Sequence, residues 1–152
     1  VSLNLGSILD VLSSHAAATG RFDQILTHEP DSSPQAGAAL VTAIWVQRIS
    51  PLPAMSGLAV TSVLVELVQR VYAPMTTRPA DVIDIRVTEA IDDLLGRITA
   101  DFQLGGTVNC VQLVGTPNLH AVAGYVRTDG AVQRVMDIAI PCVLADQWPQ
   151  SA

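Results

Sequence analysis

The chain has 152 residues, 49% hydrophobic and only 14% charged, with a formal net charge of −6. Its length suits one domain with a sizeable core, and no apolar run approaches the ~20 residues a membrane helix needs. All eight basic residues are arginine and there is no lysine, which argues against a surface that grips nucleic-acid phosphates, though not against one that lets nucleic acid slide past.

Taken in order, residues 3–19 read as a helix. Leu5, Ile8, Leu9, Leu12 and Ala16 share one stripe, Ser2 or Asn4 is placed to cap the start, and Gly20 is a natural stop. The opening residues lack the basic-then-apolar pattern of a signal peptide, so a cytosolic chain is the expectation. Residues 21–38 form a polar, Pro-containing surface loop, with Phe22, Ile25 and Leu26 as anchors for its first part. Leu40–Ile49 alternates as a strand, with Leu40, Thr42, Ile44 and Val46 on one face and Val41, Ala43 and Trp45 on the other. Pro51 and Pro53 make residues 50–57 a hairpin tip, because proline cannot donate to a central ladder.

Gly57–Tyr72, GLAVTSVLVELVQRVY, organises the rest. Its valines and its apolar content on both alternate sets favour a long strand buried on both sides, with a far end that projects beyond the domain. They favour it over a helix, which Leu58, Ser62, Glu66 and Arg70, four apart, would also allow. After a turn over Ala73–Pro79, the spacing of Val87, Ile91, Leu94, Leu95, Ile98 and Phe102 predicts a helix from Ala80 to Phe102. Asp81 and Asp84 suit its start, Asp93 and Arg97 are spaced to pair, and Gly105-Gly106 ends it. Three strands follow, Thr107–Val114, Leu119–Arg127 and Ala131–Leu144, the last two joined by an Asp129-Gly130 hairpin turn. In the last, Val132, Met136, Ile138, Ile140, Cys142 and Leu144 form an inner set, while Gln133, Asp137 and Ala139 face away. Trp148 and Pro149 belong to a closing tail. The fold class is therefore α+β: a mainly antiparallel sheet of about five strands with two helices, in a single domain spanning 1–152.

No catalytic centre emerges. His15, His28 and His120 lie on separate elements without ligand spacing, so no metal site is expected. Asp92 and Asp93 are helix neighbours that point about 100° apart, which fits a solvated face better than an acid/base pair. Gly105-Gly106 carries no phosphate-loop pattern, and no GxSxG elbow exists. Asp137 reads as a solvent-facing or interface residue. Cys110 and Cys142 read as two buried thiols rather than a disulfide or metal pair. No cofactor is implied.

Four stretches carry a family likeness: LNLGSILDVLSSHAAATGRFDQILTHEP, AIWVQRISPLPAMSGLAVTSVLVELVQRVYAPM, ADVIDIRVTEAIDDLLGRITADFQLGG and GYVRTDGAVQRVMDIAIPCVLADQW. Together they resemble the tail terminator proteins of long-tailed phages, most closely those of phages infecting actinobacteria, over nearly the whole chain. The resemblance rests on overall pattern and local stretches, with no diagnostic catalytic motif. It implies a non-enzymatic virion protein without cofactor, assembled in the host cytoplasm. A hexameric ring of such subunits caps the tail tube, ends tube polymerisation and meets the head–tail connector. DNA passes through the lumen of such a ring without specific binding, and a lumen lined by the chain's acidic residues would favour that passage.

The composition leans the same way. A mean hydropathy of +0.40 leaves few charges to coat a lone 16.0 kDa subunit, so burial of apolar surface between copies of the chain is expected. Pro51, Leu52, Met55 and Trp148 are the candidate contact residues, read from this sequence rather than from the family. Two other functions fit less well: a different neck or tail-tube ring component, and a small-molecule-binding α+β domain with a pocket between helix and sheet.

Overall fold

The computed structural model describes residues 3–31, 40–53, 56–75, 80–128 and 131–151. The first helix, α1, runs Leu5–Thr19. The Asn4 side chain accepts a hydrogen bond from the Ser7 backbone N–H, and Gly20 closes the helix in the left-handed region at φ 67°, a conformation glycine adopts without steric cost. Ile8, Leu12 and Ala16, one turn apart, are buried against the sheet.

The organising stretch forms the central strand. β3 (Val60–Pro74) lies antiparallel between β2 (Leu40–Pro51) and β6 (Ala131–Pro149). Burial runs almost unbroken from Ser62 to Ala73, as the apolar content of both alternate sets requires. Val63, Val65, Leu67 and Val71 pack on the helix side, whereas Tyr72 joins Val41, Ala43 and Val135 on the other. The two faces predicted for β2 separate in the same way, Leu40 and Ile44 toward the helices and Val41, Ala43 and Trp45 away from them.

The sheet has six strands rather than five, in the order β1-β2-β3-β6-β4, with β5 also on β6. The additional strand, β1 (Phe22–Leu26), lies inside the segment expected to be loop and pairs parallel to β2. The anchors Phe22, Ile25 and Leu26 are what hold it there, packing against the two apolar clusters. Residues 32–39 of that loop lie outside the described residues. The strand expected over Thr107–Val114 shrinks to β4 (Cys110–Val111), and Gly115 turns the chain at φ 97°. β5 (His120–Thr128) pairs antiparallel with β6; the Asp129-Gly130 turn between them lies outside the described residues. β6 runs five residues past the predicted limit and absorbs the supposed tail.

A 3-10 turn, Ala80–Val82, leads into α2 (Ile83–Ala100). Val87, Ile91, Leu94 and Ile98 face the sheet as predicted, but the helix stops before Phe102, which is 45% exposed. Leu104, Gly105 and Gly106 then take positive φ in succession and reverse the chain. Asp93 does not pair with Arg97. It bonds Arg21 instead, while Arg97 donates to the Ala18 carbonyl, so both join α2 to the end of α1. Both helices sit on one face of the sheet, and Leu12, Leu94, Ile98, Ile138 and Ile140 fill the layer between them.

Gln69 is the polar exception in this layer. Fully buried, it donates through Nε2 to Thr42 Oγ1 at 3.2 Å while its Oε1 has no partner. On β6 the inner set holds from Met136 to Leu144, but Val132 at its start is 37% exposed. Gln133 faces away from the inner set as expected, yet it is only 3% exposed. The face opposite the helices is itself packed, and that is why a side chain pointing away from the helices can still be buried.

Candidate assembly surfaces

Among the described residues, no group of three or more His, Cys, Asp or Glu side chains is arranged to hold a metal ion. His15 Nε2 lies 2.9 Å from Asp101 Oδ2 and ties α1 to the end of α2. His120 Nδ1 bonds the Asn118 carbonyl at 2.7 Å, and His28 is exposed on the loop after β1. Asp101 also accepts the Gly105 backbone N–H. That bond, followed by the one from His15, holds the Asp101 carboxyl below its usual pKa. Asp92 is exposed and Asp93 is engaged with Arg21, so the adjacent carboxylates act separately. Both cysteines are free. Cys142 is fully buried, which pushes its thiol up to about 12, while Cys110 is only half-buried.

Of the predicted contact residues, Pro51, Leu52 and Trp148 lie toward one corner of the sheet. Pro51 ends β2, exposed, opposite Val63. It lies within the strand rather than in the loop, because a terminal edge position asks no N–H of it. Leu52 is half-buried and donates its N–H to the Ser62 carbonyl at 2.8 Å. Trp148 is not in a tail: it lies in β6, paired with Thr61 and 36% exposed. What carries β6 that far is an irregularity opposite Ser62. There the Asp146 N–H donates to Ser62 Oγ at 3.1 Å, with Asp146 at φ 55°, after which pairing resumes. Gln150 fastens the end, donating to the Gly57 carbonyl at 3.0 Å and to Thr61 Oγ1 at 2.6 Å. Met55 lies outside the described residues.

Neither layer covers this corner. Gln47, Arg48 and Ile49 are exposed in succession, as are Gly57, Leu58 and Ala59, and successive strand residues point to opposite faces. Leu58 is 100% exposed, Ile49 46%. These exposed apolar side chains lie off the central strand: Leu58 precedes β3 and Ile49 is on β2, while Val60 and Thr61 at the start of β3 are half-buried. Sequence reasoning missed Leu58 and Ile49 as contact candidates; only the surrounding exposure distinguishes them from core residues.

A second surface lies on the face away from the helices. Asp137, expected to be a solvent-facing or interface residue, accepts two hydrogen bonds from Arg70, from Nε at 2.6 Å and Nη2 at 2.9 Å. The guanidinium also stands 5.3 Å from the Trp45 ring and 5.9 Å from the Tyr72 ring. The Asp137 bond raises the Arg70 pKa further, so this arginine stays charged. The register predicts the contact, since Arg70 and Asp137 are direct cross-strand partners, but register is not visible in a sequence read one strand at a time. Arg21, Arg48 and Arg134 are likewise paired with carboxylates.

No family model and no curated protein matches the sequence. Among solved structures, the chain is similar to the sheath/tube terminator of PVC, an extracellular contractile injection system, determined by cryo-electron microscopy in its extended state. The similarity has a TM-score of 0.46 at 8% identity and covers 100% of this chain. The chain spans 60% of the length of that terminator.

Proposed function

We propose that this chain is a tail terminator: a structural, non-enzymatic virion protein that closes into a ring, caps a tail tube and ends its polymerisation. The resemblance of four stretches to the terminators of long-tailed phages supports this reading and implies six copies per ring, with the head–tail connector on the opposite side. The observation that carries it is the apolar surface left in water at the end of the sheet where β3 begins: Leu58 is 100% exposed and Trp148, paired with Thr61, is 36% exposed. Such surface suits burial against a partner, and in this reading that partner is the tube end. Pro51, Leu52 and Met55 belong to the same contact. The net charge of −6 and the carboxylate partners of Arg21, Arg48, Arg70 and Arg134 suit a ring through which DNA passes without adhering.

Light scattering and tube-binding assays on Leu58→Ser test this. Leu58 makes no use of the core, so the variant keeps the melting temperature of the parent. It loses affinity for tube ends while retaining the parent's mass in solution. Unchanged tube-end binding would remove the corner from the contact, and binding to the connector but never to tubes would assign the ring to the neck instead.

A further inference from the structure

Two strands of this sheet lie at opposite edges. Among the described residues, β5 pairs only with β6 and β1 only with β2, which leaves each with one unpaired side there. Long edge strands in monomers are normally blunted by lysine, proline, inward charge or cover. β5 has nine residues, HAVAGYVRT, with neither lysine nor proline, and it leaves Val122 59% and Tyr125 64% exposed. We propose that the β5 edge of one copy pairs with the β1 edge of the next, antiparallel, with Tyr125 opposite Ile25 and Arg127 near Asp23. This rests on the ring of the proposed function and names how its subunits join.

Strand direction, face and charge each agree with that junction. β1 runs with β2, against β3, with β6 and against β5. When a second copy is set beside the first in the same orientation, its β1 therefore lies antiparallel to β5, the more stable of the two pairings. All helices then stay on one side, as a cyclic head-to-tail assembly requires. Face limits the register further. Ile25 packs on the helix side and Leu26 on the other. On β5, Tyr125 lies on the helix side beside Arg134, and Val126 packs on the opposite face. Only registers that set odd against odd residue numbers keep the faces matched, since a slip of one would invert every side chain. Within that set, Ile25 against Tyr125, Gln24 against Val126 and Leu26 against Gly124 keeps the faces matched over the regular part of β1. It also brings Asp23, at the irregularity between Phe22 and Gln24, to the same end as Arg127. Asp23 and Arg127 are both exposed, and neither forms an ion pair among the described residues.

The test uses the full chain carrying Gln24→Cys and Val126→Cys with Cys110→Ser. Directly opposed strand residues lie within the Cα range a disulfide spans. Mild oxidation is expected to produce a ladder of cross-linked chains on denaturing gels, and Val126→Cys alone is expected to produce none. As a second measurement, Asp23→Arg and Arg127→Asp each weaken self-association about fivefold at low salt, and the two together restore it. A dimer from Val126→Cys alone would overturn the proposal in favour of β5 pairing with itself. Oligomers by light scattering with no ladder, and no rescue in the charge swap, would also overturn it while leaving the terminator reading intact. A ladder from a protein that ignores tube ends would support the junction and remove the terminator role.

Discussion

Asp137→Ala leaves the Arg70 guanidinium between Trp45 and Tyr72 without its carboxylate. Breaking a fully buried pair from one side costs about 3–5 kcal/mol, whereas exposed pairs contribute about 0–1 kcal/mol. The Arg70 and Asp137 side chains are 21% and 35% exposed, so water screens part of the interaction, and the two short bonds place the loss at about 2 kcal/mol. For a chain of this length that lowers Tm by about 4–8 °C. Arg70→Met keeps much of the packing over Trp45 and completes a double-mutant cycle with Asp137→Ala. The cycle is read by urea unfolding at one fixed chain concentration, because assembly would otherwise enter the stability. A coupling of about 1.5 kcal/mol is expected. A coupling below about 0.3 kcal/mol, the usual limit of additivity, would show the pair to be ornamental and refute the argument.

Three further outcomes follow from the same structure. Ser62→Ala removes the acceptor that holds the Asp146 N–H, and urea unfolding should show a loss of about 1 kcal/mol, with faster amide exchange at the corner around Trp148. Gln69→Met removes a buried acceptor with no partner while leaving Thr42 bonded to the Arg70 carbonyl; stability should rise by about 1 kcal/mol, seen as a higher urea midpoint. Asp101 has a folded-state pKa below its unfolded value, so its contribution is complete above the unfolded value near ~4. It is lost as pH falls through the folded value. Asp101→Asn should therefore lower stability at pH 7 and flatten the acid limb of the stability profile relative to the parent.

The layout of the fold was largely legible in the sequence because burial writes itself into periodicity. The stripe of Val87, Ile91, Leu94 and Ile98 marked α2, and the doubly apolar run around Val63–Val71 marked the central strand. What escaped depended on partners distant in the chain. β1 is five residues long and lies in polar company, and it is a strand only because β2 offers it an edge. Gln133 is buried because the face away from the helices is packed, a fact carried by Val41, Tyr72 and Val135 rather than by its own neighbours. Phe102 fitted the helical stripe, but the left-handed run at Leu104–Gly106 takes the chain away two residues later. Trp148 was read as tail because the irregularity at Asp146 interrupts alternation just where β6 continues. Pro51 and Pro53 announced the end of the strand, while Leu58, the most exposed apolar side chain there, looked like any strand leucine.

The account turns most directly on tube length. Purified tail-tube protein is polymerised with and without this chain, and tubes are measured by negative-stain electron microscopy. The account predicts that added chain stops growth, shortens the length distribution and appears as a single ring at one end of each tube. Tubes of unchanged length, or chain bound along their sides, would contradict it.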